Sequence, residues 1–423
     1  MQHIKFIDLF SGMGGIRKGF ELACQKLSIS SECVFTSEIK PAALTVLKQN
    51  YPDEIQYGDI TEIHANSIPD FDVLLAGFPC QAFSFAGKRL GFDDTRGTLF
   101  FDVARILEAK RPRGFILENV EGLVTHDRVD STQKIGRTLT VILKTLNMLG
   151  YHVSWKVLNA VDFGVPQNRK RIYLAGSLKT KPDFSFIQKS DVKLKHILET
   201  GLATQNSPFI EKILNKYSVK ELYGKSVKDK RGGGNNIHSW DIELKGPVSN
   251  DEKALLNSLL KERRKRKWAE EIGIEWMDGM PLTKKQISTF YPHPKLQLLL
   301  DNLTEKGYLS FEHPKQKING QRIKDESLPK GYNIIAGKKS FEINKILDPE
   351  GIAPTLVAMD MEHLFVVDNG GLRTISLREG LRLFGYPDDY LFNISKKDGF
   401  DLLGNTVVIP VIEAVSEKLL NSI

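Results

Sequence analysis

The chain of 423 residues reads as an α/β protein, a doubly wound sheet completed by a smaller second domain. Three observations predict that class. From residue 1 to about 176, short β-rich runs alternate with amphipathic stretches, the pattern of a parallel sheet covered by helices on both faces. The first alternation is joined by a glycine-rich turn, FSGMGG (10–15). From about 177 the rhythm is lost and the charge changes. Residues 177–340 carry 31 Lys and Arg against 20 Asp and Glu, while the rest of the chain carries 28 against 32.

Taken in order, strands are predicted at 5–9, 33–37, 73–76, 114–117, 153–158 and 172–175, and helices at 17–26, 41–50, 99–109 and 135–149. In open sheets of this kind ligands bind beyond the carboxyl ends of the strands, so the residues just past each strand are the candidates for chemistry. The middle of the chain holds a turn, RGGGNN (231–236), and a charged run, KERRKRK (261–267). That run follows DEKALLNSLL at helical spacing, which predicts a solvated helix face or phosphate contacts. Regular structure returns after about 370 with SLREGLRLFGYPDDY and a helix from about 408 to 420. The expected division is a first domain over 1–178, completed by about 395–423, a second over 179–370, and a hinge over 371–394.

Composition excludes several classes. At 41% hydrophobic content the chain has enough apolar residues for sizeable cores. Its three cysteines form no CxxC pair and its nine histidines are scattered, so neither a disulfide framework nor a metal site is expected. MQHIKFIDLF leads straight into a strand pattern without a signal-peptide signature, and no apolar run is expected to span a membrane. The expectation is a cytoplasmic monomer in a reducing compartment, with no membrane association. The excess of 11 positive charges in 177–340 points to a polyanion partner, or else to a well-solvated surface.

The glycine turn reads Gly12-x-Gly14-Gly15, which departs from the GxGxxG of dinucleotide sites and disfavours both a pyrophosphate ligand and a nicotinamide oxidoreductase. Glu38 ends the second strand, where an acid binds ribose hydroxyls, and Asp59 closes the third strand region, where a carboxylate accepts from an adenine amino group. Each acid alone reads equally well as a helix cap. Together with the turn they fit an adenosyl ligand without a diphosphate, such as S-adenosylmethionine.

Cys80 follows Pro79 at the top of a strand and precedes QAFSFAGKRLGFDDTRG, a polar, glycine-hinged stretch that reads as a lid. A cysteine there is better read as an activated nucleophile than as a small buried hydrophobe. Glu118, in FILENVEGL, ends another apolar strand at the same edge, and Gln167, Arg169 and Arg171 alternate in VPQNRKRIYLAG, which places them on one face. Thiol, carboxyl and paired guanidinium suit covalent addition to an electron-poor heterocycle.

The ordered set DLFSGMGG, GFPCQAFS, ENV, QNRKR, RLFGYPD and GNTVVIP resembles the DNA (cytosine-5-)methyltransferase family, over residues 4–176 and about 370–415. With no regulatory domain flanking the motifs, the chain is most similar to a stand-alone bacterial modification methylase. The resemblance implies a Rossmann-like S-adenosylmethionine-dependent methyltransferase sheet with a target-recognition domain in the middle of the chain. It implies that Cys80 attacks C6 of a cytosine flipped out of double-stranded DNA, that Glu118 protonates N3, and that Arg171 with Arg169 holds O2 and the local phosphates. Phe10 would stack on the adenine of S-adenosylmethionine. Gly12, Gly14, Gly15, Glu38, Asp59, Ile60, Pro79 and Leu99 would line the rest of that site, and Asn405 would support its methionine end. Ile39 stands where family members often carry an aromatic. A restriction endonuclease is the implied functional partner. An RNA-directed enzyme of the same architecture and a catalytically silent DNA-binding module are the alternatives; intact Cys80, Glu118 and Arg171 argue against the second.

Overall fold

The structure is a computed structural model describing residues 3–78, 99–130, 132–187, 191–318, 321–336, 341–358 and 360–423. It opens with β1 (His3–Leu9), α1 (Gly15–Lys26), β2 (Ser30–Ser37), α2 (Pro41–Asn50), β3 (Gln56–Tyr57) and β4 (Val73–Ala76). α3 (Leu99–Lys110), β5 (Gly114–Val120), α4 (Arg137–Met148), β6 (His152–Asn159) and β7 (Lys170–Ser177) follow. The strands form one sheet in the order β3-β2-β1-β4-β5-β7-β6. β1 pairs in parallel with both β2 and β4. The chain therefore winds outward from β1 to one edge and restarts on its other side, which makes the β1/β4 boundary the topological switch point.

The sheet is not wholly parallel, as the alternation had predicted. β7 lies between β5 and β6 and is antiparallel to both. β6 and β7 are joined only by residues 160–169, too few for a crossover helix, so the two strands pair directly in opposite directions.

Each face is buried by a different set of side chains. On one, Ile7, Leu9, Leu74, Leu117 and Leu174 share a core with Phe100, Val103, Leu107, Ile142 and Leu146 of α3 and α4. On the other, Phe6 meets Phe20 of α1 with ring centroids 5.0 Å apart. Helix Ile409–Leu420 completes that face. A Cβ added to Gly19 would fall 2.6 Å from Ile412, and one on Gly114 would fall 2.8 Å from Leu419, so only glycine permits these approaches. Contrary to expectation, the stretch Lys396–Leu420 is long and apolar enough to cross a membrane. It is in fact two helices, Lys396–Asn405 and Ile409–Leu420, and its apolar residues are those of a core element, 72% buried in the fold.

The described chain forms two compact units. One holds the sheet and comprises Met1–Glu199, Pro349–Glu362 and Ile375–Ile423; the other comprises Thr200–Asp348 and His363–Thr374. These bounds differ from 178 and 370 because hydrogen bonds beyond β7 hold the chain to the first unit. Thr180 Oγ1 donates to the Ser422 carbonyl at 3.1 Å, and the Glu199 N–H donates to Glu379 Oε1 at 2.8 Å. The segment 371–394, read as a hinge, divides: Gly371–Thr374 is a strand of the second unit, while helix Leu377–Arg382 packs against Lys396–Asn405.

The second unit has its own core, built on Trp240, Leu255, Leu259, Leu300 and Leu303. The charged run 261–267 is only partly the solvated face that its spacing predicted. Helix Asn250–Glu262 ends first, and Arg263 turns inward, donating through Nη1 to Asn333 Oδ1 at 2.6 Å and to the Ile334 carbonyl at 3.2 Å.

Candidate active site

The glycine turn is shaped by backbone that most residues avoid. Phe10, Gly12 and Gly14 take φ of 54°, 56° and 75°, reversing the chain from β1 into α1. Glu38 does not cap α2. Its Oε2 accepts the Gly12 N–H at 2.7 Å, and its Oε1 accepts the N–H groups of Ile39 and Lys40 at 2.8 Å each. One carboxylate thus ties the turn to the end of β2. Among the described residues a Cβ on Gly12 would meet nothing within 4 Å, so they leave the outer side of the turn open.

The inner side is walled off. A Cβ on Gly15 would lie 2.7 Å from Tyr386 Oη, 2.8 Å from Val407 and 2.9 Å from Thr406. The hydroxyls of Tyr386 and Thr406 are 2.7 Å apart, and Tyr390 donates to the Met13 carbonyl. The late motifs GYPDDY and GNTV are therefore the rear support of the first turn, a relation that no local pattern reveals.

Around this opening Phe10 and Leu99 are half-buried, Ile60 is buried and Ile39 is 66% exposed. Asp59 caps a short 3-10 turn, accepting from the Thr61 N–H at 2.9 Å and the Thr61 hydroxyl at 2.8 Å. Asn405 is exposed, with its amide donating to the Asp401 carbonyl at 2.8 Å.

Asp8 was not singled out from the sequence, where it reads as one polar residue in an apolar strand. It is wholly buried, and among the described residues neither carboxyl oxygen has a hydrogen-bond partner. Burial pushes its carboxyl up to about 8; Arg17 opposes the rise, while Glu21, Glu38 and Glu54 add to it. Because the folded state holds this proton more tightly than the unfolded chain, stability falls as pH rises from about 4 to about 8. Asp8→Asn removes that proton linkage. Thermal melts should show the variant gaining on the parent from pH 5 to pH 8, with the gap levelling above pH 8; a constant gap would assign Asp8 an ordinary carboxyl.

At the switch point's other strand, β4 runs beside β5 with Ala76 opposite Leu117. A Cβ on Gly77 would lie 3.8 Å from Glu118 Oε2, so the chain leaving β4 passes directly by that carboxyl. Pro79, Cys80 and the lid to residue 98 lie outside the described residues. Asn119, which the sequence offered only as a letter in ENV, anchors their approach: its Nδ2 donates to the Phe78 carbonyl at 2.8 Å.

Glu118 faces Tyr173, and Val120 faces Arg171, across the β5–β7 pair, so Glu118 and Arg171 are diagonal neighbours on one face. Arg171 Nε stands 3.4 Å from Glu118 Oε1. Burial raises the Glu118 carboxyl above its usual range, with Arg171 and then Arg169 pulling it back.

Arg169 is used differently from the phosphate or base contact expected of it. It is buried, and its guanidinium donates to the carbonyls of Leu356 (2.8 Å), Gly404 (3.3 Å) and Thr406 (2.7 Å). Two of those carbonyls belong to the end of helix Lys396–Asn405 and the residue just beyond its last residue, groups left without helical partners. Burial lowers its guanidinium to about 10, Arg171 adding to the fall and Glu118 opposing it. Gln167 is likewise internal, donating through Nε2 to the Leu383 carbonyl at 2.6 Å. Arg171, Lys170, Asn168 and Thr355, with residues 120–122, instead line a polar cavity of about 370 Å³.

The glycine turn follows β1 at the switch point, and the half-buried carboxyl–guanidinium pair lies on β5 and β7 of the same sheet, an arrangement suited to an α/β methyltransferase. The model of the C-5 cytosine-specific DNA methylase family matches residues 4–421. The chain is 78% identical over 423 residues to Type II methyltransferase M.NlaIV of Neisseria lactamica and 77% identical over 423 residues to M.NgoBV of Neisseria gonorrhoeae, with all of each chain covered. Type II methyltransferase M.BanI of Aneurinibacillus aneurinilyticus is 41% identical over 442 residues, covering 98% of this chain and 95% of that one. Among solved structures, the Entamoeba histolytica methyltransferase EhMeth is similar in fold, with TM-score 0.51 and 16% identity over 100% of this chain and 99% of that one. The protein belongs to the C-5 cytosine-specific DNA methylase family and is a DNA (cytosine-5-)-methyltransferase.

Proposed function

We propose that the enzyme methylates C5 of a cytosine flipped out of a specific double-stranded DNA sequence, through a covalent Cys80 adduct, as the protective methylase of a Type II restriction-modification system. The observation that supports this most is the pairing of Glu118 with Arg171 beside the end of β4, the strand that leads to Cys80. A base in a duplex is out of reach of such a site, so the nucleotide must rotate out of the stack.

The Cys80 thiolate adds to C6, forming an S–C bond while the C5–C6 electron pair shifts toward N3. Glu118, whose carboxyl burial shifts toward the acid form, supplies the proton that N3 takes up. Arg171 holds the cytosine O2 where negative charge develops, and the cavity with Lys170, Asn168 and Thr355 receives the adjoining phosphates. Once C5 carries the new methyl, its proton leaves to a base, the double bond re-forms, the Cys80 sulfur departs and the N3 proton returns to Glu118.

S-adenosylmethionine, when bound, supplies an electrophilic methyl group on a sulfonium. The residues present fit it: among the described residues the face of Gly12 is open and the buried carboxyl of Asp8, just before the turn in sequence, has no hydrogen-bond partner, while Glu38 and Asp59 stand at adjacent strand ends. Phe10, Ile39, Ile60, Pro79 and Leu99 would hold its adenosine, and Asn405 its methionine end. The side chains that read the target sequence would lie within residues 179–370.

Methylation-resolved sequencing of DNA from cells expressing the protein tests the reading. One short sequence should carry 5-methylcytosine throughout, at the same cytosine. Methylation of transfer RNA alone, or none, would overturn it.

A further inference from the structure

In the second unit, among the described residues, strands Lys315–Ile318 and Gln321–Lys324 pair only with each other, as an antiparallel ribbon outside the other sheets. The register sets Lys315 opposite Lys324 and Lys317 opposite Arg322. Residues directly opposite share a face, so all four cations project to one side, and neither strand carries a carboxylate. Every residue of Gln321–Lys324 is exposed, as is Lys317.

Such an arrangement works against folding. Like charges directly opposite one another destabilise a strand pair, and an isolated two-stranded ribbon is marginal in water. Among the described residues the four cations meet one carboxylate, Glu275, which is 3.9 Å from Lys317 and itself exposed. The ribbon's shape is held from its base instead: the Asp325 N–H donates to the Pro314 carbonyl at 2.9 Å, and Gln316 Nε2 donates to Asp325 at 2.5 Å. The cations thus form a patch roughly 7 Å long and 5 Å wide on a braced finger. Duplex DNA, with one negative charge about every 1.7 Å along its axis, neutralises a patch that dense, and its major groove admits a two-stranded ribbon.

We propose that this ribbon is a backbone clamp that grips duplex DNA phosphates through Lys315, Lys317, Arg322 and Lys324. It supplies sequence-independent affinity and takes no part in the chemistry or in base reading. The inference rests on the DNA-methylating function proposed above.

The test is the full chain carrying K315Q, K317Q, R322Q and K324Q together. Binding to a 30-base-pair duplex of random sequence is followed by fluorescence anisotropy across a salt series. The slope of log affinity against log salt should fall by about 3 to 4, at about 0.9 for each phosphate no longer neutralised. The methylated sequence should match the parent, and the melting temperature should hold or rise as the opposed charges go. An unchanged salt slope overturns the proposal. So does a lowered melting temperature, which would make the cations structural, or an altered methylated sequence, which would make them base readers. A loss confined to transfer RNA overturns it too. Failure of the functional reading is separate: the parent would then transfer no methyl, whatever the slopes show.

Discussion

Cys80→Ser is expected to reduce methyl transfer by roughly 10⁴-fold or more while leaving DNA binding close to that of the parent. A hydroxyl in place of the thiolate is too weak a nucleophile at neutral pH to add to C6, and the adduct is what makes C5 reactive. Binding is spared because it comes from phosphate contacts borne by other residues. The covalent step can be caught directly. Fluorine at C5 of the target cytosine leaves a group that cannot depart as a cation, so the enzyme stays attached once the methyl has been added. A complex resistant to denaturation should form on 5-fluorocytosine DNA, should require S-adenosylmethionine, and should vanish in Cys80→Ser. The other cysteines should not substitute. Burial pushes Cys24 up to about 11 and Cys33 up to about 12, so neither supplies thiolate near pH 7. A trapped complex in Cys80→Ser would remove Cys80 from the mechanism.

Glu118→Gln should slow single-turnover methylation by roughly 10²-fold, since an amide can donate a hydrogen bond to N3 but cannot deliver a proton. The effect should depend on pH, with a definite sign. Burial raises the carboxyl of Glu118, and the acid form is the one that acts. In the parent the rate should therefore fall as pH rises through that raised value. The glutamine variant has nothing to lose there, and its profile should keep only the limb that rises with pH as Cys80 ionises. Coincident alkaline limbs in the two proteins, read from single-turnover rates over a pH series, would show that Glu118 is not the proton donor.

The sequence by itself determined whatever depends on neighbours along the chain. The strand–turn–helix of residues 6–21 was legible because glycines at 12 and 14 permit the positive φ that a tight turn needs, and α2 begins at Pro41 and ends at Asn50 as its periodicity predicts. Glu118 and the chain leading to Cys80 could be assigned to one edge because parallel strands present their carboxyl ends together. Only the tertiary structure decided the partners that come from afar. The direction of β7 follows from a short connection. The use of Arg169 follows from three carbonyls, two of them more than 230 residues away, that need a donor. Arg169 and Arg171 stand two positions apart in a single motif, yet one is taken up by a helix end and the other faces a carboxyl and a cavity. Alternation along a strand tells which side a residue points to; what waits on that side is set by packing, and packing is the sum of contacts between segments that the chain order does not place together.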